Sequence, residues 1–308
     1  FNHQDFLTGL QANDGQTYMI KTDSVFNIKT FFSAAAVLFA SFIGFDSIAQ
    51  AGGEARNPSK TLPISIAMAI TGVGGFYMLF TFAVYHAIPW SFIAERAIDN
   101  DITAPGLFNY LLSPGLSAAI IAGATIALIN DLPAMLLSVS RLMFAWAKDG
   151  IFPKSVSNIH PVYHTPHTAI LLSGGMATVG IFGSHFAGDF FLGIDIMVTS
   201  MMVNFLLMCV TLIMIEKKNP VLSNQISVLQ NRLVQIILGW TGVITLTIFL
   251  LIHTWKDLSS NPEFWYHHST IIYTIVMLLG SIVFFVKFDM LKTKGVDTQK
   301  LFRSLPNE

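Results

Sequence analysis

Long apolar stretches separated by short polar segments make up most of this chain. Most are close to the length of about 20 helical residues that the hydrocarbon core of a membrane requires. Residues 1–30, in contrast, are mixed and polar, and their apolar positions are too scattered to span. The pattern predicts an all-α integral membrane protein with seven spans. We expect these spans at residues 31–63, 64–88, 116–147, 168–186, 190–215, 233–253 and 270–288.

The first span carries Gly44, Phe45 and Asp46 near its middle. An aspartate at the bilayer centre costs about 2.5 to 3.5 kcal/mol, so it normally faces a wet cavity or a partner. Glycine relaxes the backbone, and Asp46 or Ser47 can cap the start of a new helix. The sequence therefore predicts two half-helices joined at Gly44, and such broken helices are where secondary transporters bind their substrates.

A helix that ends near Ile43 would present unpaired backbone carbonyls in the middle of the membrane. Their partial negative charge suits the ammonium group of a ligand. Asp46 has two compatible roles, as the cap of the second half-helix or as a protonatable or cation-binding group at the floor of a cavity.

The span at residues 116–147 is too long for one straight crossing, and Pro133 near its centre predicts a tilted and kinked helix. Asp131 is a second acid at membrane depth. At helical spacing it shares a face with Met135 and Ser138.

Composition excludes other classes of protein. Hydrophobic residues make up 53% and charged residues 11% of the chain, which is too apolar for an ordinary soluble domain. A formal net charge of -1 offers no basic face, so nucleic acid is not an expected partner. The single cysteine, Cys209, rules out a framework of intrachain disulfides. Because the chain begins with Phe1 and no signal peptide precedes the first span, we expect a fragment.

Basic residues predict the orientation. With residues 1–30 outside, thirteen lysines and arginines lie on the inner side and four on the outer, which satisfies the positive-inside rule and makes the carboxyl tail cytoplasmic. The inner set is Arg56, Lys60, Arg141, Lys148, Lys154, Lys217, Lys218, Arg232, Lys287, Lys292, Lys294, Lys300 and Arg303, and the outer set is Lys21, Lys29, Arg96 and Lys256.

Two motifs resemble those of a known family. Residues 41–47 (SFIGFDS), followed by residues 54–58 (EARNP), look like the sixth membrane helix of the amino acid/polyamine/organocation (APC) permeases and its cytoplasmic exit. Residues 147–153 (AKDGIFP), after Ser140 and Arg141, are similar to the family's link between helices 8 and 9.

The resemblance implies an inverted-repeat transporter fold of the LeuT type. Residues 31–215 would form the second five-helix repeat, helices 6 to 10, after an extracellular loop at residues 1–30. Residues 216–288 would form two peripheral helices, and residues 289–308 a cytoplasmic tail. Helices 1 to 5, which supply the other broken helix, would then be partners of this chain within the same protein.

The resemblance also implies site residues. In the family, the stretch containing Asp131 and Met135 lines the substrate cavity, and Phe42 or Phe45 would close over the ligand. The alternative is that these rings simply face lipid or neighbouring helices. The positions around the break that match substrate and aromatic-gate positions are Ala40, Ser41, Phe42, Ile43, Gly44, Phe45 and Asp46.

Charges at the inner side have two interpretations. Most simply they are solvated cytoplasmic groups, but the resemblance adds the possibility that they pair across the inner mouth as a gate. The candidates for coupling or gating are Asp46, Glu54, Arg56, Arg141 and Asp149.

The function implied is a permease that moves amino acids or related amines across a plasma or inner membrane by alternating access. The coupling ion would be H⁺ or Na⁺, and no other cofactor is expected. A non-transporting receptor or assembly subunit on the same fold is the alternative.

Two chemical alternatives are weak. An intramembrane aspartyl protease could use Asp46 and Asp131, but no Gly-x-Gly-Asp precedes either acid. A metal site at His160, His164 and His167 is not expected, because prolines interrupt the helix that would align the three rings.

Overall fold

The computed structural model describes most of the chain, and its described part is almost entirely helical. No β-strand occurs in that part. The all-α prediction is therefore confirmed. The described residues are 3–14, 26–50, 52, 55–99, 103–187, 190–224, 226, 228–260 and 264–301.

Within the described ranges, seven segments are long and apolar enough to cross a membrane, as predicted. The first consists of α2 (Ile28–Leu38), a short 3₁₀ helix (Phe39–Phe42) and α3 (Asp46–Gln50). The other six are single helices: α4 (Pro58–Ala87), α7 (Pro114–Lys148), α8 (His167–Ala187), α9 (Phe190–Lys218), α11 (Arg232–Ser259) and α12 (Ser269–Thr293).

The observed bounds extend beyond the apolar stretches. Pro63, which we placed at the end of the first span, lies inside α4, because that helix already begins at Pro58. Pro58 is tolerated at the first helical position, because the N–H that proline lacks would be unpaired there anyway. Helix α7 continues through Pro133.

Shorter helices connect the spans. An amino-terminal helix, α1 (Gln4–Asp14), precedes the first span, and its 11 residues are too few to cross the hydrocarbon core. The other short α-helices of the described residues are α5 (Trp90–Asp99), α6 (Ala104–Leu107), α10 (Pro220–Asn224) and α13 (Thr298–Leu301).

The chain divides into two compact units, residues 1–27 with 68–134 and residues 28–67 with 135–308. In the first unit, buried side chains of α1 and of the segment after α4 form a small core around Ile88 and Phe92. The rings of Phe6 and Phe92 meet edge to face at 5.2 Å. The polar amino-terminal segment therefore contains a helix that packs within this unit.

In the second unit, α11 packs along α9, and small residues allow the close approach. A Cβ atom added at Gly239 would lie 2.7 Å from Cγ1 of Ile213 and 3.4 Å from the carbonyl oxygen of Cys209. Gly242 faces the sulfur of Cys209 in the same way. Small residues at a contact are how membrane helices approach closely without a hydrophobic driving force.

Arg232, the first residue of α11, ties that helix to the end of α9. Its guanidinium donates hydrogen bonds to the carbonyls of Leu212 (3.0 Å) and Ile213 (2.6 Å). Its Nε lies 2.7 Å from Oε2 of Glu216. Both carbonyls lie inside α9, so these bonds fix the amino end of α11 to α9.

At its other end, α11 is joined to α12 by Asp257. The carboxylate accepts hydrogen bonds from the backbone N–H groups of Ser269 (3.2 Å) and Thr270 (2.8 Å), which begin α12. A carboxylate at the amino end of a helix is favoured by the helix dipole. Helix α11 is thus fixed at both ends, to α9 by Arg232 and to α12 by Asp257.

The glycine contact between α9 and α11 generates a stability prediction. We expect Gly239→Ala to lower the melting temperature of the purified full-length protein in detergent, because the added methyl group overpacks the contact at a cost of about 1 to 3 kcal/mol. Gly280→Ala in α12 is the matched control, since no described atom lies within 4 Å of a Cβ there. Equal melting temperatures for the two variants would contradict the packing.

Candidate functional site

The first spanning segment is interrupted in its middle. Helix α2 passes into the 3₁₀ helix Phe39–Phe42, a turn covers residues 43–45, and α3 starts at Asp46. Gly44 has a φ of +126°, a backbone conformation that side chains with a Cβ rarely adopt. The sequence predicted a break at this residue, and the structure has one there.

Local hydrogen bonds pair most of the backbone groups at the break. Ile43 N–H donates to the Ala40 carbonyl at 3.1 Å, Ser47 N–H to the Gly44 carbonyl at 3.1 Å, and Ile48 N–H to the Phe45 carbonyl at 3.2 Å. The Ala40 carbonyl is therefore used by the tight 3₁₀ turn.

One carbonyl at the break has no such partner. The Ile43 carbonyl accepts no hydrogen bond from any residue in the described ranges. Ile43 has extended backbone dihedrals, with φ -68° and ψ 140°, so it belongs to neither helix. An acceptor inside a membrane segment that lacks a protein partner is available to a donor on a ligand or to water.

Asp46 belongs to the break, but its cap differs from the expected one. Its Oδ1 accepts a hydrogen bond from the backbone N–H of Gly44, two residues earlier, at 3.1 Å. The side chain is partly buried. Asp46 thus fixes the turn from the α3 side, and it holds the glycine that interrupts the helix.

Aromatic rings connect the break to α9. The ring of Phe45 stacks on Phe205 at 5.2 Å with an interplanar angle of 20°. Phe39 meets the same Phe205 ring edge to face at 6.0 Å. Phe45 therefore packs against a neighbouring helix in this conformation, which is the alternative role considered for the phenylalanines. Phe205 was not predicted, because nothing distinguishes it from the other phenylalanines of the spans.

The neighbouring candidates divide into packed and exposed positions. Ala40 packs on a buried cluster formed by Ala36 of α2 and by Val198 and Met202 of α9. Ser41, the next residue, is exposed. The half-helix before the break is therefore held on one side by α9.

Asp131 and Met135 lie one helical turn apart on α7, and both side chains are exposed. Asp131 belongs to the first compact unit, whereas Met135 and Gly44 belong to the second. Asp131 and the break therefore belong to different compact units.

The proposed gating residues are distributed around the ends of α4 and α7. Arg56 is exposed and precedes α4, and Thr61 donates its hydroxyl to the Arg56 carbonyl at 3.0 Å. Arg141 is half-buried on α7, and Asp149 follows the last residue of that helix. Glu54 lies outside the described residues.

The second family motif is a helix stop. Gly150, with a φ of +80°, lets Ile151 N–H donate to the Trp146 carbonyl at 3.0 Å and its own N–H donate to the Ala147 carbonyl at 3.2 Å. These are the two bonds of a Schellman motif, which ends a helix at a left-handed residue. The stacked rings of Trp146 and Phe152, 5.6 Å apart, cover the turn.

The three histidines considered for a metal site lie between α7 and the first residue of α8. Nδ1 of His160 accepts from the backbone N–H of Val162 at 3.2 Å, and its ring meets that of His167 at 5.5 Å. No cluster of three metal-ligating residues occurs among the residues described.

The model of the amino acid permease family matches residues 3–300. The chain belongs to this family. The resemblance seen in the two motifs is thereby confirmed, and so is the expectation of a multi-pass membrane protein with the permease fold. No solved structure matches the chain.

Curated relatives are permeases and importers. The branched-chain amino acid permease BcaP of Bacillus subtilis is 28% identical over 72% of this chain and 48% of its own length. The vacuolar cationic amino acid transporter 2 of Arabidopsis thaliana is 32% identical over 48% of this chain and 23% of its own length. The low-affinity putrescine importer PlaP of Escherichia coli is 30% identical over 48% of this chain and 32% of its own length.

The chain thus spans about half the length of the first of these relatives and less of the other two. All three are named as transporters, in agreement with the prediction that the protein is not an enzyme.

The geometry of Gly44 generates a prediction for transport. We expect Gly44→Ala in the full-length protein to reduce substrate uptake at least tenfold while membrane insertion persists, because forcing this φ on alanine costs about 1 to 3 kcal/mol. No described atom lies within 4 Å of a Cβ at Gly44, so the effect would arise from the backbone and not from a clash.

Uptake of labelled substrate, corrected for the amount of inserted protein, measures the effect. Gly123→Ala in α7 controls for the change of glycine to alanine in a span, because its Cβ would also meet open space. Normal uptake by Gly44→Ala would show that the special backbone at the break is not needed for transport.

Proposed function

We propose that the protein is a secondary active transporter that moves amino acids or related amines by alternating access, with the substrate bound at the break around Gly44. The observation that carries the proposal is the Ile43 carbonyl, which no described residue pairs and which lies in the middle of an interrupted spanning segment.

The chemistry of an ammonium group suits this carbonyl. An ammonium has three hydrogen-bond donors and no acceptor, and the carboxyl end of a helix carries a partial negative charge. The three relatives are named for branched-chain amino acids, cationic amino acids and putrescine, all of which carry an ammonium group. We infer that the ammonium is the part of the substrate recognised by this chain.

The two halves of the broken segment are held differently, which suits a hinge. Ala36 of α2 is fully buried against Val198 and Met202 of α9. Helix α3, in contrast, has no buried residue. A rotation at residues 43–45 would move α3 while α2 stays with α9, which is how a hinge at the substrate site opens a path to one side.

Phe45 and Asp46 are proposed to act in this movement. In the present conformation Phe45 stacks on Phe205, and a rotamer change would bring the ring toward a ligand at Ile43. Asp46 is proposed to carry the coupling ion, H⁺ or Na⁺, because it is a partly buried acid bonded to the glycine at the hinge.

The remaining expectations belong to the same proposal. Residues 1–30 would lie outside and the carboxyl tail in the cytoplasm of a plasma or inner membrane. Arg56, Arg141 and Asp149, with Glu54, would pair across the inner mouth when it closes. Asp131 and Met135 would line the substrate cavity, and helices 1 to 5 of the same protein would complete the site.

The experiment separates the structural from the coupling role of Asp46. Asn keeps an Oδ1 that can accept from Gly44 N–H, whereas it cannot titrate. We therefore expect Asp46→Asn in the full-length protein to lose accumulation driven by a proton gradient but to retain exchange of labelled substrate across liposome membranes. Exchange needs binding and rocking but no net proton movement.

Asp46→Ala is the matched control, since it removes the acceptor as well as the charge. We expect this variant to lose both accumulation and exchange. If Asp46→Asn accumulates substrate normally between pH 5 and pH 8, Asp46 has only the structural role. If the wild-type protein catalyses neither process with amino acids or amines, the proposal as a whole fails.

A further inference from the structure

A cavity lies away from the break, between the first turn of α2 and the last turns of α11. Its volume is about 660 Å³, within the range of roughly 300 to 1,000 Å³ typical of small-ligand sites. Most of its lining is apolar. Its lining includes Ile28, Phe32, Leu251, Ile252, Trp255 and Lys256.

We propose that this groove binds a membrane phospholipid, with an acyl chain against the apolar lining and the phosphate at the Lys256 ammonium. Three features of the groove support this ligand: its apolar wall, its position at the membrane boundary and the charge of Lys256 at its mouth. The proposed lipid site does not depend on the substrate site at Gly44.

The groove has a formed apolar wall. The ring of Phe32 meets Phe249 of α11 edge to face at 5.7 Å, and Phe249 packs in turn on the buried cluster around Ala36. Leu251 is nevertheless 64% exposed. A hydrocarbon chain would cover such surface, with a gain of about 0.8 kcal/mol for each buried methylene group.

The depth of the groove matches the boundary between hydrocarbon and headgroups. It is built from the first residues of one spanning segment, which starts at Thr30, and from the last turn of another, α11, which ends at Ser259. Trp255 is 76% exposed at this level. Tryptophan is enriched at this boundary, where its amphipathic ring contacts both regions.

Lys256 supplies a positive charge that no described residue neutralises. Its ammonium makes no ion pair or hydrogen bond with the described part of the chain. The adjacent acid, Asp257, uses both carboxylate oxygens for the N–H groups of Ser269 and Thr270. The mouth of the groove therefore complements the phosphate of a lipid headgroup.

The apolar wall and the Lys256 ammonium together favour a lipid over other anionic ligands. Inorganic phosphate would contact Lys256 and leave the apolar wall exposed. A second segment of the protein could cover the wall, but it would have to present an acid to Lys256.

Native mass spectrometry of the full-length protein in detergent tests the proposal, with dioleoyl phosphatidylglycerol as the probe. We expect one lipid to bind per protein chain, and binding to weaken about fivefold in Lys256→Gln, the effect of one charge contact near the surface. Leu251→Trp should also weaken binding, because the larger ring fills the groove.

Leu279→Trp in α12 is the matched control, since Leu279 is 59% exposed and does not line the groove. Unchanged lipid binding in both Lys256→Gln and Leu251→Trp would overturn the proposal. So would displacement of the lipid by inorganic phosphate, or a crosslink from a cysteine at residue 251 to another segment of the protein. Because the measurement involves no transport, its failure would leave the proposed function untouched.

Discussion

An unpaired backbone group in the hydrocarbon core of a membrane costs several kcal/mol, and the break at Gly44 has to limit this cost. It does so with bonds that reach only two to three residues along the chain, from Ile43 to Ala40, from Gly44 to the Asp46 side chain and from Ser47 to Gly44. The Ile43 carbonyl is not an acceptor in any of these local bonds. A helix that continued through residue 44 would have no such acceptor, so the interruption and the candidate site are the same feature.

The rest of the second unit keeps the break in place. Ala36 of α2 is buried against α9, and α9 is fixed to α11 by close glycine contacts and by Arg232, which donates to two carbonyls of α9. Asp257 then joins α11 to α12. Because α3 has no buried residue, this scaffold restrains one half of the broken segment more than the other. This difference supports the proposed hinge at the candidate site.

Much of the architecture was predictable, since long apolar stretches and isolated glycines carry strong signals. Gly44, Asn57 and Gly150 all have positive φ, and all three lie in the motifs that indicated the family, so the motifs mark backbone positions with special conformations. The partners of side chains were not predictable. Gly174 and Gly175 are small enough for close helix packing, but no described atom lies within 4 Å of a Cβ at either, whereas Gly239 and Gly242 make the contact.

The same limit applies at the candidate site. Asp46 was expected to cap the helix that follows it, but its oxygen bonds backward to Gly44, and this choice depends on the φ of the glycine. Phe205, which contacts both Phe39 and Phe45, sits in an apolar run where hydropathy gives each ring the same value. Contacts between distant residues depend on how helices rotate against each other, and one sequence does not encode that in any local pattern.

A structure of the full-length protein with its substrate bound would test the central claim most directly. The account predicts the ammonium nitrogen of an amino acid or amine at a hydrogen-bonding distance of about 3 Å from the Ile43 carbonyl oxygen. A substrate bound elsewhere, with the Ile43 carbonyl paired to another part of the protein, would contradict it.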